Sequence, residues 1–168
     1  MPDVGYTASP CLYNKRRITM EQQLVVFDLA GESYGINIAA VESIIKMQAI
    51  TQLPQAPHYV KGVTNLRGAV LPVIDLRLRF ELEAQEVSRQ TRIIIVTMGK
   101  IKVGVVVDGV SEVLSVPDDA IEAIPPTVST ANSAFLKGIV RLEQRLIILL
   151  ELSKVLDFEE QQSLAALA

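Results

Sequence analysis

YVKGVTNLRGAVLPVIDL, residues 59 to 76, and FLKGIVRLEQRLIILLEL, residues 135 to 152, are one pattern written twice. A shift of 76 places Lys61 on Lys137, Gly62 on Gly138, Leu66 on Leu142, Asp75 on Glu151 and Leu76 on Leu152. A second register, a shift of 69, places Gly35, Ile36, Ile38, Val41 and Ile44 on Gly104, Val105, Val107, Val110 and Val113 without a gap. Self-similarity at a fixed spacing marks a duplicated structural unit. The chain is therefore expected to consist of two related halves.

Around these stretches the sequence is rich in β-branched and alternating apolar residues bounded by Gly, Asp, Asn or Pro, the pattern of short strands joined by turns. Strands are predicted at 24–29, 34–38, 63–67, 70–76, 92–98, 102–108 and 145–152. Hairpin loops are predicted at Ala30 to Ser33 and Gly99 to Ile101, where glycine supplies the positive φ that tight turns need. Helical pattern is sparse: one turn over Ala56 to Lys61, a short piece over Leu76 to Leu82, and a C-terminal helix from Ser153 to Leu167 with Ser153 as its N-cap. About five short strands per half suit a small closed barrel, which removes exposed edges. Neither half alone would bury much surface. The expected fold is mainly β, two packed five-stranded β-barrels with a few short helices and a C-terminal helix. Residues 1–20 read as a flexible N-terminal arm, with the ordered pattern starting just after Met20, and 159–168 read as a C-terminal tail.

Composition narrows the function classes. At 168 residues and 49% apolar, the chain can pack a core without metals or disulfides. One cysteine, Cys11, excludes an intramolecular disulfide and a cysteine-rich metal site, which suits a reducing compartment. No run approaches the ~18 apolar residues of a membrane span and no secretory signal is visible, so a soluble cytoplasmic protein is expected. A net charge of −3, spread along the chain, and 5% aromatic content argue against nucleic acid as partner. The basic cluster Lys15, Arg16 and Arg17 reads as a solvated part of the arm.

The groups that catalysis would need are missing. His58 is the single histidine, so a site with two histidine ligands is impossible and a Ser/His/Asp triad would have to be built around a loop residue between Pro57 and Tyr59. Cys11 lies in the arm without a framework to activate it. Neither a phosphate loop nor G-x-G-x-x-G after a strand is present. Asp118 and Asp119, following Pro117, read as turn or helix-start chemistry. No enzyme, cofactor or metal is expected.

KGVTNLRGAVLPVIDLR (61–77) resembles the signature of the CheW family, coupling proteins of bacterial chemosensory arrays, and the likeness runs through YGINIAAVESI (34–44), VGVVVDGVSEVL (103–114), FLKGIV and RLIILLEL (135–152). It covers about residues 22 to 157, and 21–158 is taken as the CheW-like domain. The resemblance implies an adaptor without catalytic activity. Its fold would be two SH3-like barrels whose strands interleave along the chain. Its partners would be the cytoplasmic tip of methyl-accepting receptors and the regulatory domain of the histidine kinase CheA, with no direct membrane insertion and recruitment from the cytoplasm to receptor arrays. By the same resemblance, Arg67, Ser43, Ile44, Arg92 and Val113 are candidate receptor contacts and Val41, Gly62 and Gly68 candidate kinase contacts. Two departures stand out: the acidic residue expected two places after Val41 is instead Glu42, and Arg92 occupies a position where the family commonly has an apolar residue.

Packing competes with binding as the reason for several of these residues. Val41, Ile44 and Val113 belong to the repeat, so a core role is open for each. Gly62 recurs as Gly138, which favours a backbone requirement. Asp75 is mirrored by Glu151 and reads as structural, whereas Arg67 is mirrored by Glu143, so barrel geometry does not demand a cation there and a partner or inter-barrel role is expected. The rival readings are an adaptor of a pilus-motility or phototaxis system and a small-ligand protein using the groove between barrels.

Overall fold

The computed structural model describes residues 21–124, 136–142 and 145–154. Eleven strands are present among them: β1 Glu21–Leu29, β2 Glu32–Asn37, β3 Val41–Lys46, β4 Val60–Leu66, β5 Ala69–Asp75, β6 Arg92–Met98, β7 Ile101–Val107, β8 Gly109–Pro117, β9 Ile121–Glu122, β10 Leu136–Leu142 and β11 Arg145–Leu150. One α-helical turn, α1 Leu76–Arg79, follows β5, and 3-10 turns occupy Ile38–Ala40, Asp118–Ala120 and Leu152–Lys154. The strands divide into two sheets. Sheet A has the order β9-β10-β11-β2-β1-β8 and sheet B the order β4-β5-β7-β6-β3.

Apart from the two-residue β9, the two orders are the same once repeat partners are exchanged: β10 matches β4, β11 matches β5, β2 matches β7, β1 matches β6 and β8 matches β3. Each sheet joins its central strands by a parallel pairing, Ile147↔Ser33 through Leu149↔Gly35 in A and Val73↔Gly104 through Asp75↔Val106 in B. The repeat is therefore real, but its halves are not the sheets. Sheet A takes β1 and β2 from the first half and β8–β11 from the second, while sheet B takes β3–β5 and β6–β7.

The chain itself links the two edges of each sheet. After edge strand β8 it turns through Asp118–Ala120 and adds β9 to the opposite edge, Ile121↔Val140 and Glu122↔Ile139. After β3 it crosses to β4, where Thr51 and Val63 exchange backbone hydrogen bonds of 2.8 and 2.9 Å. This crossing explains the repeated glycine. A Cβ on Gly62, at φ +147°, would stand 2.0 Å from the Thr51 carbonyl oxygen, and one on Gly138 would stand 2.9 Å from that of Glu122.

Core burial follows the strand period of two. Leu24 and Val26 of β1 point into sheet A's interior with Val116, Val140, Ile147 and Leu149, and Ile93 and Ile95 of β6 point into sheet B's with Leu71, Val73 and Val106. The alternate residues Val25, Phe27 and Leu29 meet Ile94, Val96 and Met98 in the largest cluster, which lies between the sheets. Strands β1 and β6 are thus buried on both faces, which is why they read as unbroken apolar runs.

Some expectations change. Residues 41–46 and 109–117, not predicted as strands, are both edge strands: β3 alternates half-buried with exposed residues, whereas β8 is exposed throughout Ser111–Val113. No helical turn forms over Ala56 to Lys61, because Val60 and Lys61 already belong to β4. Sheet A has six strands rather than five. Of the helix expected over Ser153 to Leu167, only the 3-10 turn Leu152–Lys154 lies within the described residues. The arm over 1–20 and the tail over 159–168 lie outside them.

Candidate partner-docking surface

The opening stretch folds as the β4–β5 hairpin of sheet B, with Leu66 opposite Ala69 and a two-residue loop of Arg67 (φ 54°) and Gly68 (φ 84°). Two positive φ values make this the turn whose twist matches that of paired strands. The Asn65 side chain accepts the Gly68 N–H at 3.0 Å and so holds the turn. Arg67 is exposed at the tip, and among the described residues no carboxylate pairs with it. Of the two roles expected for Arg67, its exposure at the hairpin tip favours the partner one over the inter-barrel one. Ala30 and Gly31 make the same turn between β1 and β2, so the strained position belongs to the turn type and the arginine to the surface.

The other candidates separate into exposed and buried groups. Ile44 on β3 and Val113 on β8 are 39% and 53% exposed, so the core explanation fails for both. Val70 and Leu146, also repeat partners, are 48% and 52% exposed. Single exposed aliphatics are ordinary. The recurrence of outward-facing aliphatics at equivalent positions of both halves is what marks these surfaces. Val41 is half-buried against the inter-sheet core. Gly62 is buried and offers no side chain, so its requirement is steric, while Gly68 sits free at the hairpin tip.

Glu42 and Ser43 lie at an irregularity in β3. Val41 pairs with Val96 and Ser43 with Ile95, which leaves Glu42 as the extra residue of a bulge. Glu42 points outward and pairs with Lys102 of β7 at 2.7 Å. The Ser43 hydroxyl is buried without a hydrogen-bond partner. Arg92, by contrast, donates through Nη1 to the Arg89 and Thr91 carbonyls at 2.7 and 2.9 Å, tying down the turn before β6.

Sequence reasoning missed Arg77, the last residue of the 61–77 motif, and its partner Asp108. Arg77 Nε and Nη2 donate to the two Asp108 carboxylate oxygens at 2.8 and 2.6 Å. The guanidinium holds the Asp108 carboxyl below its ordinary range, against the effect of burial and with help from the Ala30 N–H, and the same hydrogen bond raises the Arg77 pKa. The criterion applied to Arg67 would have found them: their repeat counterparts are Ser153 and Ala39. Asp75 is structural as expected. It is buried, accepts the Arg77 N–H at 2.9 Å as the cap of α1, and faces Lys61 at 3.7 Å.

Among the described residues no three His, Cys, Asp or Glu side chains gather as a metal site would require. His58 is exposed and lies nearly perpendicular to the Tyr59 ring, with the ring centres 5.7 Å apart. Among the same residues no helix is long and apolar enough to cross a membrane.

A family model for the CheW-like domain matches residues 23–160. The chain belongs to the CheW-like domain family. It is 38% identical over 142 residues to the chemotaxis protein CheW of Klebsiella aerogenes, covering 84% of this chain and 86% of that one. With the CheW of Bacillus subtilis it shares 39% identity over 142 residues, covering 84% and 91%. A crystal structure of the scaffolding protein TtCheW from Thermoanaerobacter tengcongensis superposes with a TM-score of 0.76 at 38% identity, covering 84% of this chain and 96% of that one. CheW-like domains are scaffolds rather than enzymes, in keeping with a surface whose distinguishing features are exposed aliphatics and a hairpin tip.

Proposed function

We propose that this CheW-like chain is the non-enzymatic adaptor that couples methyl-accepting chemoreceptors to the regulatory domain of the histidine kinase CheA. It works in the cytoplasm and is recruited to receptor arrays at the membrane. The observation that carries the reading is the pair of outward-facing aliphatics Ile44 and Val113, at equivalent positions of the two halves on edge strands of different sheets. Aliphatic anchors of this kind suit the apolar stripe of a helical receptor tip. The exposed hairpin tip of Arg67 and Gly68, with Val41 on β3, supplies a second, partly polar surface on sheet B for the kinase domain or the receptor. Gly62 contributes by shaping β4, and Ser43 and Arg92 by shaping β3 and its neighbour β6. Coupling is mechanical: no bond is made or broken, and kinase output follows how the partners are held.

The test is co-sedimentation with receptor-containing membranes and purified kinase. Val113→Asp puts a charge into the apolar contact and is expected to lower the recovered fraction about tenfold or more, as loss of an interface anchor does. Arg67→Ala is expected to reduce ternary assembly. Thermal unfolding of both variants should match the parent, since neither side chain is buried. Parental co-sedimentation by both variants would sink the proposal.

A further inference from the structure

The two halves of the repeat meet at two equivalent junctions, and these are built differently. At the first, Arg77 follows β5 of sheet B and grips Asp108 through Nε and Nη2, while its Nη1 donates to the Glu83 carbonyl at 2.9 Å. Asp108 is the one residue between β7 of sheet B and β8 of sheet A. Its carboxylate also accepts the Ala30 N–H of the β1–β2 turn at 2.9 Å, and its own N–H donates to the Asp28 carbonyl at 3.0 Å. One carboxylate therefore ties α1 on sheet B to a turn of sheet A, with the two side chains only 15% and 27% exposed. At the second junction the counterparts of Arg77 and Asp108 are Ser153 and Ala39. There the structure has a cavity of about 370 Å³ lined by Leu24, Asn37, Ala39, Thr97, Lys137 and Glu151, among others.

We infer that the Arg77–Asp108 pair is the joint that sets the angle between the two sheets, an orienting role that apolar groups of similar size would not fill. The apolar cluster between the sheets is aliphatic for the most part, and apolar attraction is non-directional. A planar guanidinium fork on a carboxylate has one favourable geometry. For a pair so withdrawn from water, the desolvation cost offsets much of the Coulombic gain, so its removal in favour of apolar groups leaves stability nearly level while deleting the direction. Ile44 on sheet B and Val113 on sheet A lie on opposite sides of this joint, so its geometry bears on their relative placement whatever partner they meet.

The experiment measures the spin–spin distance distribution between nitroxides at Lys100→Cys in the β6–β7 turn and Ser115→Cys on β8, in the full chain with Cys11→Ser. In Arg77→Met/Asp108→Leu the distribution is expected to broaden about twofold while the urea midpoint stays at the parental value. Arg77→Lys, which keeps the charge and loses the fork, is expected to fold as the parent does and to give an intermediate width. Parental width in either variant overturns the inference. So does a collapsed urea midpoint in the double variant, which would make the pair a stability element.

Discussion

Gly62 and Gly68 stand six residues apart in one hairpin and are required for unrelated reasons. Gly68 supplies positive φ at an exposed turn with nothing within 4 Å of where a Cβ would be, whereas Gly62 makes room for the Thr51 carbonyl as the chain closes sheet B. Alanine should therefore separate them. Gly68→Ala is expected to cost about 1 kcal/mol, the ordinary cost of a left-handed L-residue, and Gly62→Ala about 3 kcal/mol or more, because backbone must move to admit the methyl group. Urea denaturation of the two variants checks the order, and equal losses would remove the barrel-closure explanation. The repeat made Gly62 legible as structural, since Gly138 mirrors it. It left Ile44 and Val113 ambiguous, because a repeated aliphatic serves a core or a surface equally well until exposure is known.

Edge strands β3 and β8 were the least legible elements. Their apolar residues are interleaved with Glu42, Ser43, Ser111, Glu112 and Ser115, and each strand carries an irregularity in its pairing, between Val41 and Ser43 in β3 and opposite Val26 and Phe27 in β8. Burial along β3 nevertheless alternates, and Glu42 projects outward to Lys102. The turn between β7 and β8 yields a prediction of its own. With its carboxyl held below the ordinary 3.8 by Arg77, Asp108 binds a proton more readily in the unfolded chain than in the folded one. That difference stabilises the fold above the unfolded value and is lost as pH falls through the folded one. Urea midpoints compared near pH 7 and about pH 3 should therefore fall further for the parent than for Asp108→Asn; equal falls would show that the pairing contributes nothing to acid stability.

Across the molecule, each sheet needs strands from both halves of the sequence, so neither half can complete a sheet. The exposed connection between α1 and β6 is the natural place to cut. Fragments 1–85 and 86–168 are expected to lack native β-sheet signal in circular dichroism when separate, and to regain it on mixing, because β1 and β2 must find β8–β11 while β3–β5 find β6 and β7. A cooperative thermal transition in either fragment alone would contradict this. Composition, strand pattern and the 69- and 76-residue shifts sufficed to establish a duplicated β protein, since apolar period and repeated glycines are local properties of the chain. Pairing is not local. Which half of the repeat meets which depends on contacts between residues far apart in sequence, and the fold placed β1–β2 with β8–β11, turned Ile44 and Val113 outward, sent Arg67 to a hairpin tip and brought Arg77 to Asp108.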